Sequence, residues 1–130
     1  MWKEKLPINC PPKNAVELDT IAFRILENQE PEESDFLPYV HLKPDNKRYK
    51  SLCEAYALSS FDSVKNAVEA WKKALARGRN IGNYIAQIQI ESNDGRNVHN
   101  KKSGHISTWL YDTRTSNQFK CDLILVIDEN

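Results

Sequence analysis

Apolar and polar residues alternate most cleanly in the second half of the chain. Tyr84, Ala86, Ile88 and Ile90 are interleaved with Gln87 and Gln89, the period-2 pattern of a half-buried strand. Asn93-Asp94-Gly95 predicts a tight turn in which Gly95 supplies a positive φ, followed by a short strand over Arg96–His99. A polar turn through Lys101, Lys102 and Gly104 leads to a second alternating segment, His105–Leu110. There Ile106, Thr108 and Leu110 share one face, and His105, Ser107 and Trp109 share the other. Thr113–Gln118 reads as a turn, and Phe119–Ile127 as the last strand. Its Leu123–Ile127 run is apolar on both faces, which predicts a central strand.

Upstream, Thr20–Leu26 carries Thr20, Ile21, Phe23 and Ile25, residues that favour the pleat. Pro7, Pro11 and Pro12 make the start irregular, with at most one helical turn over Lys13–Leu18. Pro38 removes a ladder donor, so Phe36–Leu42 is an edge strand at best. Pro44-Asp45-Asn46 signals a turn. Ser51–Leu58 fits strand and helix spacing alike and is assigned a short strand ending at Leu58.

One segment has clear helical periodicity. Val64, Val68, Trp71 and Leu75 fall at i, i+4, i+7 and i+11, and Ala67, Ala70 and Ala74 add propensity. Ser60 or Asp62 can cap its start, and Gly78 stops it with Arg77 in the last turn. The helix spans about residues 62–77, and its Trp71 stripe reads as core contact. Strands joined by short turns after one main helix define an α+β fold. Residues 1–130 form a single domain, with a mostly antiparallel or mixed sheet of five or six strands and one main helix packed on one face.

Composition narrows the function classes. The 130 residues carry 18 basic and 18 acidic side chains, a formal net charge of +0. A nucleic-acid domain usually shows a basic excess, so nucleic acid is disfavoured as a partner. Charge is nevertheless local. Glu27, Glu30, Glu32, Glu33 and Asp35 form an acidic loop, and Lys47, Arg48 and Lys50 a basic one. The latter is a candidate patch for an anionic ligand. Met1–Cys10 lacks the apolar core of a signal peptide, and Leu123–Ile127 is far shorter than a membrane span. Cys10, Cys53 and Cys121 are odd in number with no paired spacing, which reads as reduced thiols in a cytoplasmic protein that does not meet the membrane.

Chemistry-bearing signatures are sparse. His41, His99, His105 and the three cysteines stand at none of the spacings of a metal site, and no metal is expected. Neither phosphate-cradling glycine motif occurs, and Gly78-Arg79-Asn80-Ile81-Gly82 reads as a helix stop and loop.

Three residues carry a resemblance. Arg24 sits in the first strand, Ser59 precedes the main helix after Ala57-Leu58, and Glu129 follows the last strand. In this order, arginine, serine-bearing strand and late glutamate, the chain resembles the core of the arginine/serine/glutamate-type ADP-ribosyltransferases. The resemblance covers three positions and the coarse element order. It implies NAD as cofactor, with Arg24 holding the dinucleotide phosphates, Ser59 bracing the pocket and Glu129 on the nicotinamide ribose, where it would stabilise an oxocarbenium-like transition state. The family's glutamate tends to come in an E-x-E or Q-x-E pair, whereas Ile127-Asp128-Glu129 stands here.

His105, Ser107 and Trp109 give a second candidate: one strand face that, left uncovered, suits recognition of a ligand or partner. The first function these readings support is a small binding or protein-interaction module with no evident catalytic site and no cofactor, its partner a protein or small molecule. An NAD-using transferase is the alternative. Single-stranded nucleic-acid binding through Trp109, Tyr84 or Tyr111 beside Lys101 and Lys102 is the second alternative.

Overall fold

The two segments richest in β-branched and aromatic residues form long central strands. In the computed structural model, which describes residues 2–112 and 121–127 (the backbone alone for 121–124), Thr20–Leu26 is β1 and Tyr84–Ile90 is β3. They pair antiparallel along their full length, from Thr20 opposite Ile90 to Leu26 opposite Tyr84. The other strands are β2 (Leu58–Phe61), β4 (Gly95–Asn100), β5 (His105–Leu110) and β6 (Cys121–Val126). The sheet order is β4-β5-β2-β1-β3-β6, and every pairing is antiparallel. This is the expected α+β architecture.

Because side chains alternate across a strand, the sheet has two apolar faces. Ala22 and Leu26 of β1, Leu58 of β2, Ala86, Ile88 and Ile90 of β3, and Ile106 and Leu110 of β5 build one cluster, joined by Phe36 from the acidic loop. Phe23, Ile25, Phe61 and Ile85 face the other way and meet α2 (Val64–Ala76) through Ala67, Trp71, Val64 and Val68. Ser63, rather than Ser60 or Asp62, caps α2 by accepting from the amide of Asn66 at 3.1 Å. At the other end Gly78 adopts φ +76°. Its amide donates to the carbonyl of Leu75 at 2.9 Å, and the amide of Arg79 donates to the carbonyl of Ala74 at 2.9 Å. That is a Schellman close, and it fixes where Arg79 emerges. The indole of Trp71 donates to the carbonyl of Gly82 at 2.7 Å, tying this loop to the helix.

Several local expectations are corrected. Phe36–Leu42 is not an edge strand: a 3-10 turn spans Glu33–Phe36, and Pro38 starts the short helix α1 (Tyr39–Leu42). Ser51–Leu58 is not a strand ending at Leu58. Cys53–Tyr56 is a 3-10 turn and β2 begins at Leu58. No helix forms over Lys13–Leu18, where Val16 instead bridges Asn97. β6 is an edge strand, not a central one, and Val126 is 71% exposed. The turn expected at Thr113–Gln118 lies outside the described residues.

The thiol reading is also corrected. Cys10 and Cys53 form a disulfide across a sequence separation of 43. Pairing over that distance has no spacing signature. The bridge sits with Trp109, Ala15 and Ala57 in a third cluster, covered by Trp2 and Leu6 of the N-terminal segment. Disulfides are rare in the cytosol, so cysteine usage no longer supports a cytoplasmic location. Among the described residues no helix is long and apolar enough to cross a membrane. A bridge that closes a loop of this length restricts the unfolded chain, and reducing it is expected to cost about 2–4 kcal/mol. Denaturant unfolding with and without a phosphine reductant measures that difference. An unchanged midpoint contradicts a closed bridge.

Candidate functional site

The acidic loop folds back on itself through one side chain. The carboxylate of Asp35 accepts from the amides of Glu27 and Glu32, both at 2.9 Å, and from Nδ2 of Asn28 at 3.0 Å. This places the Asp35 carbonyl 2.7 Å from Nε of Arg24, which donates to it. Nη1 of Arg24 donates to the carbonyl of Ser59 on β2. Arg24 is 8% exposed. Burial pulls its pKa down to about 10, against the raising influence of Tyr39 and Asp35, so it remains a cation at neutral pH. Among the described residues two of its five N–H donors have acceptors, both neutral carbonyls.

Arg24 borders a cleft of about 560 Å³, with Tyr39, Ser59, Arg79 and Ile81 among its walls. That volume falls within the roughly 300–1,000 Å³ of small-molecule sites. A second lobe of about 230 Å³ shares Tyr39, Ser59 and Arg79, and adds Tyr49, His105 and Ser107. Ser59 therefore stands where the lobes meet. The rings of Tyr39 and Tyr49 lie 5.9 Å apart between centroids.

Strand register brings His105 here. Ser59 pairs with Ser107, and Phe61 with His105. Nε2 of His105 lies 2.6 Å from Oγ of Ser59, and Nδ1 lies 3.5 Å from Oγ of Ser107. Phe61 packs edge-on to the imidazole at 5.4 Å. Burial lowers the His105 pKa from 6.5, so the ring is neutral at neutral pH. The unfolded chain then binds a proton that the folded one refuses. The stability His105 contributes is complete above pH about 6.5 and is lost as the pH falls toward its folded pKa. Thermal unfolding between pH 8 and 5 should show a steeper loss for the natural protein than for His105→Gln. Parallel curves contradict this.

The sequence-derived candidates divide. Arg24 and Ser59 line the first lobe, and Ser59, His105 and Ser107 the second. Glu129 lies outside the described residues. Lys47, Arg48 and Lys50 are exposed on a 3-10 turn and line neither lobe. Among the described residues no ion pair joins this basic loop to the acidic one. Trp109 is corrected: it is 1% exposed, packed beneath the N-terminal segment, and its indole donates to the carbonyl of Cys53 at 3.0 Å. It offers no contact surface and no platform for a base. Tyr84 packs on the sheet core, and Tyr111 stacks on Trp2 at 5.0 Å while its hydroxyl donates to Glu17. The aromatics named for nucleic-acid binding are thus engaged inside the protein.

Tyr39 and Tyr49 carry no signal in the sequence, and Arg79 reads there only as part of a helix stop and loop. Arg79 had a usable signal, because a residue directly after a helix-stopping glycine is held in a fixed direction. Among the described residues no cluster of three or more metal-ligating side chains occurs. Comparison with protein-family models, with curated protein sequences and with solved structures returned no match.

Proposed function

We propose that this protein is a binding module for a phosphorylated small molecule, taken up in the cleft walled by Arg24, Ser59, Tyr39 and Arg79. One observation carries the reading: a buried guanidinium, cationic at neutral pH, borders a cleft of ligand size while its hydrogen bonds among the described residues go to neutral carbonyls. A desolvated cation of that kind interacts strongly with an anion, and its planar fork suits two phosphate oxygens at once. Arg79 adds a second cation at the rim, and Tyr39 and Tyr49 add aromatic area for a planar base.

NAD is the first candidate, as the resemblance to the ADP-ribosyltransferases implies. Contact between Arg24 and Ser59 supports it. Transfer chemistry in that scheme belongs to Glu129 and is a separate question from binding.

A thermal-shift series with NAD, ADP-ribose, inorganic pyrophosphate and nicotinamide tests the reading. A ligand at about 100 times its Kd stabilises by roughly 2.7 kcal/mol, several degrees in a domain of this size. Stabilisation by the diphosphates but not by nicotinamide is expected. No shift with any diphosphate overturns the reading.

A further inference from the structure

We infer that Ser59 and His105 form a nucleophile–base pair that cleaves a carboxylic ester bearing an anionic group. This rests on the cleft reading, since Arg24 and Arg79 would hold that group, and it goes beyond binding. Nucleophilic serine chemistry requires an imidazole nitrogen within about 2.6–3.2 Å of the hydroxyl, and a fixed ring. Both conditions are met. Oγ of Ser59 is 2.6 Å from Nε2 of His105, and Phe61 holds the ring from its edge. Ser107 approaches Nδ1 at 3.5 Å, on the side where an orienting acceptor belongs. The two residues come from neighbouring strands in register, a rigid base for the pair. Both open onto the lobe shared with Tyr39 and Arg79.

The reaction balances without a further reagent. Oγ of Ser59 bonds to the ester carbonyl carbon while its proton passes to Nε2 of His105. The carbon–oxygen bond to the alcohol breaks, and the alcohol leaves with that proton. Water then adds to the acyl-serine, giving its proton to Nε2, and the acid departs as the proton returns to Oγ of Ser59.

A fluorophosphonate probe tests the pair directly: the serine oxygen bonds to phosphorus, fluoride leaves, and His105 takes the proton. Peptide mapping is expected to find a single adduct on Ser59, absent in Ser59→Ala. His105→Gln is expected to slow labelling by at least about 100-fold. In the natural protein, labelling should fall as the pH drops through the His105 pKa. The other charged or titratable groups facing these lobes are Arg24, Glu27, Asp35, Tyr39, Lys43, Tyr49, Glu54 and Arg79. No adduct on Ser59 in protein that still binds diphosphate overturns the inference and leaves the binding reading standing. Labelling that ignores both His105→Gln and pH overturns it as well.

Discussion

Arg24→Gln is expected to weaken diphosphate binding by about 100-fold or more. Two charge-assisted hydrogen bonds are worth about 1.5–3 kcal/mol each, and 1.4 kcal/mol is a factor of ten in Kd. Glutamine keeps some of the volume but removes the charge and the fork. It also leaves at least one of the carbonyls of Asp35 and Ser59 without its donor, at about 1–3 kcal/mol of stability. Lysine separates charge from geometry. Arg24→Lys returns a cation but not a planar fork, so partial recovery of affinity is expected. Isothermal titration of the three proteins with ADP-ribose decides the matter, and equal affinities contradict a role for Arg24 in binding.

The largest effect on stability is expected at Trp71. Its indole is buried between α2 and the sheet among Phe61, Ala67 and Ile85, and its N–H donates to Gly82. Trp71→Ala should cost about 3–5 kcal/mol, roughly 10–20 °C in Tm. The loss extends to the site, because the loop that Trp71 pins carries Arg79 and Ile81 into the cleft wall. Trp71→Phe retains most of the apolar contact and loses the hydrogen bond. It should cost less than half as much. Calorimetric unfolding of both variants checks this, and an alanine variant within about 1 kcal/mol of the natural protein contradicts the packing described.

Gly82 shows how tightly that loop meets the sheet. A Cβ built on it would stand 2.4 Å from the carbonyl oxygen of Leu26, and its φ is +137°. The backbone that ends β1 therefore lies directly against the segment that follows α2. Only glycine permits the approach.

Pleat-favouring residues mark the bounds of β1 and period-2 alternation those of β5 in full, and the 3.6-residue stripe ending at Gly78 locates α2. The segment between residues 33 and 57 resisted reading for a physical reason. It is built of 3-10 turns and a four-residue helix, elements too short to show a period. They are held instead by specific bonds, such as Tyr56 donating its hydroxyl to the carbonyl of Lys50. Tyr39 and Tyr49 sit in that segment, where no period marks them.

The site was legible residue by residue but not as a unit. Order along the chain groups Arg24 and Ser59 with Glu129, and strand alternation groups His105 with Trp109. Their true partnership depends on β2 lying between β1 and β5, an order that joins residues 46 positions apart. Local pattern does not specify such neighbours. Trp109 shows the converse. Its strand face was read correctly, but what covers it is the N-terminal segment, an irregular stretch whose docking depends on the Cys10–Cys53 bridge and on the pairing of Val16 with Asn97.

The most direct test of the central claim is a nitrogen NMR titration of backbone and side-chain groups with ADP-ribose. Binding in the cleft predicts that Nε–H of Arg24, the ring of His105 and the amide of Ser59 shift together and saturate with one Kd. Shifts confined to Lys47, Arg48 and Lys50, or none in the cleft at saturating ligand, would contradict it.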